Sequence, residues 1–146
     1  KKVILNVTLN GALAGLVVIT ADPYSSSPEI AVLYGMLGGI TIPFAMSLLE
    51  KWGIDDPVGA ISVHGIAGIL GLLLVPIFNS DATVLAQVIG IVTIGGFVFA
   101  SSLGVWYVLH KTIGLRVGKK EEDVGSDMYE GTGNAYPEFM EIKKVK

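Results

Sequence analysis

Four long stretches without a charged residue constrain the fold of this chain more than any other feature. A membrane-spanning helix needs about 20 apolar residues at a rise of about 1.5 Å each, and each stretch is long enough. Only short polar segments separate the stretches, so a water-soluble fold would leave very large apolar surfaces in solvent. The sequence therefore predicts an all-α membrane protein with four transmembrane helices. The charge-free stretches are Val3 to Ala21, Ile30 to Leu49, Pro57 to Ser80 and Ala82 to Leu109.

Prolines, glycines and interfacial aromatic residues set the expected limits of the helices. We expect residues 1–113 to form the transmembrane region and residues 114–146 to form a polar cytoplasmic tail, with Gly114 as the stop signal. Glycines inside the helices are typical of close helix packing in lipid. The expected helices lie at about residues 3–20, 29–52, 57–78 and 83–111.

Composition excludes several kinds of site. The chain has no cysteine and only two, widely separated histidines, so disulfides and thiolate metal sites are excluded and a structural zinc site is not expected. We expect no catalytic residue, no metal and no cofactor. Most charges follow His110, where acidic and basic residues are mixed, so a nucleic-acid partner is not expected either.

The basic residues predict an orientation in the membrane. In a four-helix topology all of them fall on one side, and the loops on the other side contain no Lys or Arg. Because cytoplasmic loops are enriched in basic residues, both ends of the chain are expected in the cytoplasm of a multi-pass protein of the plasma membrane. The basic residues that decide this are Lys1, Lys2, Lys51, Lys111, Arg116, Lys119 and Lys120.

His64 is the strongest functional clue, because it lies in the middle of an apolar, glycine-spaced stretch. An ionisable side chain at membrane depth is costly and usually serves the movement of ions or protons. The alternative is a helix face that packs against a neighbour, with the imidazole hydrogen-bonded. Helical spacing places three small residues on the same face as His64. They are Ala60, Gly68 and Gly71.

Two carboxylates precede this helix. Asp55 or Asp56 is a natural N-cap, since a carboxylate accepts hydrogen bonds from free backbone N–H groups and is stabilised by the positive end of the helix. Pro57 then occupies the favoured first helical position. A capping role is favoured over a direct part in conduction.

These residues resemble a known family. Asp55-Asp56-Pro57 followed by Val63-His64-Gly65 closely resembles the signature of the penultimate helix of the Amt/Mep/Rh ammonium transporters. Residues 9–17 resemble an earlier helix of the family. Gly114 to Val117, Glu121-Glu122 and Ala135 to Pro137 resemble the cytoplasmic tail of its prokaryotic members.

The resemblance implies a fold and a function. Family members have eleven helices in two inverted repeats, and the four helices here resemble the last four. His64 then corresponds to the second of two pore histidines, and Ala60 to an apolar pore-lining position. The implied function is ammonium transport for nitrogen uptake: ammonium is recruited and deprotonated, and ammonia and a proton pass through a hydrophobic pore. The alternative is an ammonium sensor that signals through its tail with little flux.

The same resemblance implies partners. Family members are homotrimers, and many bind a trimeric PII-type regulatory protein. This chain departs from the family pattern at Gly59, where some members carry an acidic residue, and in the tail sequence Gly125-Ser126-Asp127. The regulatory tail residues implied by the resemblance are Arg116, Glu121, Glu122, Asp127 and Tyr136.

Overall fold

Helices make up all the regular structure of the described residues. The computed structural model describes residues 4–24 and 27–124. A π-helical segment, with hydrogen bonds from residue i to i+5, leads directly into the third α-helix. This confirms the predicted all-α class. The elements are α1 (Leu5–Ile19), α2 (Pro28–Lys51), the π-helical segment (Ala60–Ile66), α3 (Ala67–Phe78), α4 (Val84–Thr112) and α5 (Lys119–Val124).

Three helical segments within the described ranges are long and apolar enough to cross a membrane. They are Pro28–Lys51, Ala60–Phe78 and Val84–Thr112, with 24, 19 and 29 residues. The described part of the first predicted span, α1, is an apolar helix of 15 residues. At a rise of about 1.5 Å per residue it extends about 22 Å, less than the hydrocarbon core of about 30 Å.

The chain forms two units, Lys1–Phe99 and Ala100–Lys146. In the first unit, small residues bring helix backbones into contact. A Cβ atom on Gly38 would lie 2.7 Å from the carbonyl oxygen of Ala14, so only glycine allows α2 this close to α1. Apolar side chains from α1, α2, the π-helical segment and the start of α3 fill the core beside this contact. The buried core residues are Ala14, Val18, Tyr34, Ile42, Val63 and Ala67.

Local sequence signals account for the ends of α2. The Ser27 hydroxyl accepts a hydrogen bond from the Ile30 N–H at 3.4 Å, and a proline occupies the first turn of the helix. At the other end Gly53 has a φ of +70°. The Ile54 N–H donates to the carbonyl of Leu49 at 3.0 Å, the pairing of a Schellman motif.

The third predicted helix begins later than its sequence indicated. Pro57 was predicted as the first helical residue, but it lies in a turn, and the helix starts at Ala60. The physical reason is Gly59, whose φ of +74° is left-handed and cannot be part of a right-handed helix. The prediction for Pro57 is therefore wrong.

The described residues of the second unit begin within α4. The helix ends at Thr112, and Gly114 follows with a φ of +81°, which confirms the predicted stop signal. The short helix α5 comes next. No residue of α4 is buried in the structure, along its whole length.

Candidate functional site

His64 lies within the π-helical segment, and its side chain is exposed on this chain. It lines an open crevice of about 610 Å³ whose walls come from α1, the π-helical segment, α3 and the first turns of α4. Glycine and aliphatic residues dominate the walls. Thr20 and Gln87 are the polar residues that line the crevice together with His64. The imidazole therefore faces an apolar space, not the core of the unit.

Contacts with α1 fix the level of His64 along the helices. A Cβ atom on Gly59 would meet the Asn10 side chain, and one on Gly68 would lie 3.9 Å from the Val17 side chain. The two segments therefore run side by side in the same direction. His64 lies between these two contacts, at a level between Asn10 and Val17.

That level is close to the middle of α2. Ala14 occupies the corresponding stretch of α1, and its backbone contacts Gly38. Gly38 lies near the midpoint of the 24 residues of Pro28–Lys51. A helix of that length crosses the hydrocarbon core, so His64 is at mid-depth if α2 spans a bilayer. An ionisable group at this depth is costly and points to function.

The residues expected on the face of His64 are only partly brought together. Gly68 lines the crevice beside His64. Gly71 does not, because it is buried against α1, where an added Cβ would lie 2.6 Å from the carbonyl oxygen of Val18. Ala60 is exposed but is not among the residues that line the crevice. Gly71 therefore serves helix packing, and the pore-lining role of Ala60 stays a prediction.

A carboxylate holds the start of the π-helical segment. Asp56 Oδ1 accepts a hydrogen bond from the Ile61 N–H at 3.1 Å. Its Oδ2 accepts from the Ser62 N–H at 2.9 Å and from the Ser62 hydroxyl at 2.8 Å. Gly59 occupies the N-cap position and has no side chain, so Asp56 supplies the cap from three residues upstream.

These hydrogen bonds set the charge state of Asp56, which lies before the helix. Burial raises the pKa of its carboxyl group. The bonds donated by the backbone and hydroxyl of Ser62 and by the N–H groups of Ile61 and Ala60 outweigh burial, and the net effect lowers the pKa below its usual value. The carboxylate is therefore ionised at neutral pH.

The neighbouring Asp55 has a different position. It is exposed and lines a small cavity of about 200 Å³ together with Asn6, Glu50 and Asp56. Of the two candidate capping residues, Asp56 is the one that bonds the helix. A part in conduction stays a prediction for both.

Gly59 packs against the buried side-chain amide of Asn10. The Asn10 side chain is 4% exposed, and its Nδ2 donates to Asn6 Oδ1 at 2.9 Å. A Cβ atom on Gly59 would lie 2.8 Å from Asn10 Nδ2. A larger residue at position 59, such as the acidic residue found in some family members, therefore cannot be accommodated without moving Asn10 or the backbone.

Two of the predicted tail residues form an ion pair, and a third caps the helix α5. The Arg116 guanidinium donates to both carboxylate oxygens of Glu122, at 2.6 and 3.1 Å, and the pair is exposed. This contact lowers the pKa of Glu122 and raises that of Arg116. Glu121 Oε2 accepts from the Gly118 N–H at 2.9 Å, one half of a capping box. The predicted tail residues Asp127 and Tyr136 lie outside the described residues.

Sequence reasoning missed several residues around His64. Ser62, Asn10 and Gln87 are polar residues within apolar stretches, and that pattern could have singled them out. Ser62 bonds Asp56 in the preceding turn and Asn10 bonds Asn6 on its own helix, whereas the place of Gln87 in the crevice depends on how separate elements pack. In residues 4–24 and 27–124, no group of three or more His, Asp or Glu side chains is placed to hold a metal ion.

Comparison with known proteins gives a consistent result. The sequence model of the Ammonium Transporter Family matches residues 1–136. Ammonium transporter Amt2 of Methanocaldococcus jannaschii is 36% identical over 143 residues, which cover 90% of this chain and 33% of that protein. Ammonium transporter Amt2 of Archaeoglobus fulgidus is 33% identical over an alignment of 156 positions, gaps included, which covers 93% of this chain and 33% of that protein.

A third relative also matches this chain over only part of its own length. Ammonium transporter Amt1 of Haloferax mediterranei is 35% identical over 136 residues, which cover 90% of this chain and 26% of that protein. The chain thus spans about a third of the length of the curated relatives that it matches. No solved structure gives a significant match.

Proposed function

Since this chain belongs to the Ammonium Transporter Family, we propose that the complete protein is an ammonium transporter and that this chain supplies one wall of its pore. The observation that carries the proposal is the position of His64. Its imidazole faces an apolar crevice at the level where Gly38 of α2 closely approaches Ala14 of α1, near the middle of α2. A multi-pass membrane protein with an ionisable group there fits transport better than a structural role.

The chemistry of the crevice supports the passage of ammonia as a neutral molecule. Bringing a bare ion into an apolar environment costs tens of kcal/mol by Born estimates, whereas a neutral amine costs far less. A neutral imidazole both donates and accepts hydrogen bonds, so His64 can hydrogen-bond ammonia on its way through the crevice. In this proposal ammonium gives its proton to water or to another base before the crevice, ammonia enters as a neutral molecule, and the proton passes separately.

The remaining site residues have supporting roles in this proposal. Ala60, one turn before His64, leaves room in the conduction path because its side chain is small. Asp56 holds the start of the His64 helix through the bonds described above. Asp55 lines the small cavity before that helix, and we propose that its acidic side chain attracts cations that enter or leave the path.

We further propose the orientation and partners of the protein. The distribution of basic residues supports a cytoplasmic location for both ends of the chain, and hence for the tail, in a plasma-membrane protein. The exposed apolar side chains on α4 support burial against further helices of the complete protein and of a homotrimer. The bidentate ion pair of Arg116 and Glu122 supports an ordered start of the tail, on which a PII-type protein can dock.

The proposal is tested with the complete protein reconstituted in lipid vesicles. A jump in external ammonium should evoke a current or a pH change inside the vesicles that potassium does not evoke. Saturable binding of ammonium without any flux would overturn the transport function and favour the sensor. Neither flux nor binding would overturn the assignment of ammonium as the substrate.

A further inference from the structure

The structure assigns a positioning role to Ser62: its buried hydroxyl and its N–H anchor the π-helical segment to Asp56, so that the His64 imidazole faces the crevice. Ser62 is 0% exposed, although it is polar and lies two residues from the crevice-lining histidine. It does not line the crevice. The inference rests on the proposed function, since it concerns how the pore histidine is held.

The contacts of Ser62 restrain both its backbone and its side chain. Its N–H and its hydroxyl donate to the same oxygen of Asp56, at 2.9 and 2.8 Å. Hydrogen bonds to an ionised acceptor are roughly twice as strong as neutral ones. Two such bonds from one residue fix the position of residue 62 relative to the turn at residues 56–59.

A π-helical start needs such an anchor. Hydrogen bonds from i to i+5 leave one more N–H group without a partner at the start of the segment than an α-helix does. Here the carboxylate of Asp56 accepts from the N–H groups of Ile61 and Ser62. The next N–H group, that of Val63, donates to the carbonyl of Gly59 at 2.7 Å, a bond of α-helical spacing at the N-cap. The Asp56 carboxylate therefore supports the wider helical register.

The helical register decides where His64 points. Each residue of an α-helix turns by about 100°, so a shift of register by one residue rotates a side chain away from its surroundings. Val63 is 1% exposed in the core, and His64, next along the chain, is exposed to the crevice. If the segment from Ala60 to Ile66 changed to α-helical bonding, the imidazole would no longer face the crevice as it does now.

The test uses four variants of the complete protein in vesicles. Ser62→Ala and Ser62→Val remove the hydroxyl, while Ser62→Thr keeps it at the size of valine. Ser47→Ala, an exposed serine on α2, is the control. We expect Ser62→Ala and Ser62→Val to lower the ammonium current about tenfold and Ser62→Thr to restore most of it. We also expect a changed ratio of ammonium to potassium current, which does not depend on the amount of folded protein.

A second measurement asks whether Ser62 acts through His64. In a double-mutant cycle, Ser62→Ala should have no further effect on selectivity in the His64→Ala background. Two outcomes would overturn the inference and leave the proposed function standing. In the first, the wild-type protein conducts ammonium and Ser62→Ala has the same current and selectivity. In the second, the effects of the two substitutions on selectivity are additive. A wild-type protein without ammonium flux would overturn the proposed function and the inference with it.

Discussion

At the scale of single residues, the turn before His64 depends on a backbone conformation that glycine adopts readily. Gly59 has a φ of +74° and abuts the Asn10 side chain, whereas Gly53 has a φ of +70° with no atom within 4 Å of an added Cβ. Substitutions at these two glycines therefore distinguish the cost of backbone strain from the cost of a steric clash. Strain of this kind costs about 1–3 kcal/mol.

Substitution of the two glycines should have unequal effects. We expect Gly53→Ala to lower the free energy of unfolding by about 1 kcal/mol and Gly59→Ala by at least about 2 kcal/mol, because only the second adds a clash. Thermal unfolding of the complete protein in detergent measures the difference. Asn10→Ala should recover part of the loss in Gly59→Ala. Equal losses of unfolding free energy at both glycines would show that the contact of Gly59 with Asn10 does not limit which residue position 59 can hold.

The carboxylate of Asp56 predicts a pH dependence of stability. Its pKa in the folded protein is below its usual value of 3.8, so the stabilisation is present above that value and is lost as the pH falls through the folded pKa. Asp56→Asn should therefore be less stable than wild type at pH 6, and the difference should shrink below about pH 4. Asp55→Asn is the matched control. A difference that stays constant down to pH 3 contradicts this account.

At the scale of helices, close packing depends on particular glycines. A Cβ atom on Gly38 or Gly71 would lie within 3 Å of a backbone atom of α1, while one on Gly96 would meet nothing within 4 Å. Overpacking typically costs about 1–3 kcal/mol. We expect Gly38→Ala and Gly71→Ala to lower the unfolding temperature clearly, and Gly96→Ala to leave it nearly unchanged. Similar temperatures for all three variants would refute close contact between these helices.

The helices themselves were predictable from the sequence, but the start of the His64 helix was not. Charge-free runs ended by proline and glycine locate α2 and α4 to within one residue at each end. The hydrophobic pattern does not distinguish bonding from i to i+4 from bonding to i+5, so it could not reveal the π-helical segment. The bond between Asp56 and Ser62 depends on the turn from Asp56 to Gly59, in which the Gly59 N–H donates to the Asp56 carbonyl at 3.1 Å. Asp, Pro and Gly at the first, second and fourth positions are typical of such a turn, but the same Asp-Pro pair also fits a helix start.

At the scale of the whole molecule, the proposed topology rests on the distribution of basic residues. The chain contains no cysteine, so single introduced cysteines report their side of the membrane directly, provided that any other cysteines of the complete protein are replaced. We expect Ser80→Cys to react with a membrane-impermeant thiol reagent from outside intact cells. Lys119→Cys should react only after the membrane is permeabilised. The opposite labelling pattern would reverse the orientation.

The placement of the site was partly predictable at this scale. His64 is singled out because it is an ionisable residue in an apolar span. The helix contacts align it with the middle of α2, and its depth in a membrane stays a prediction. The crevice in front of it could not be predicted, because it is formed by the packing of α1 and α3 and by the first turns of α4. Seven residues of an ideal α-helix turn by about 700°, so α-helical spacing would put Gly71 on the face of His64. The π-helical segment that contains His64 departs from this spacing, and Gly71 is buried against α1.

The most direct test of the account is the ammonium-evoked current of the complete protein with His64 replaced. His64→Ala should abolish the current or let potassium pass as well as ammonium, because the only ionisable side chain lining the described crevice is removed. His110→Ala is the matched control, since that exposed residue in the last turn of α4 is outside the crevice and should leave the current unchanged. An unchanged current and selectivity in a folded His64→Ala protein would contradict the assignment of His64 to the conduction path.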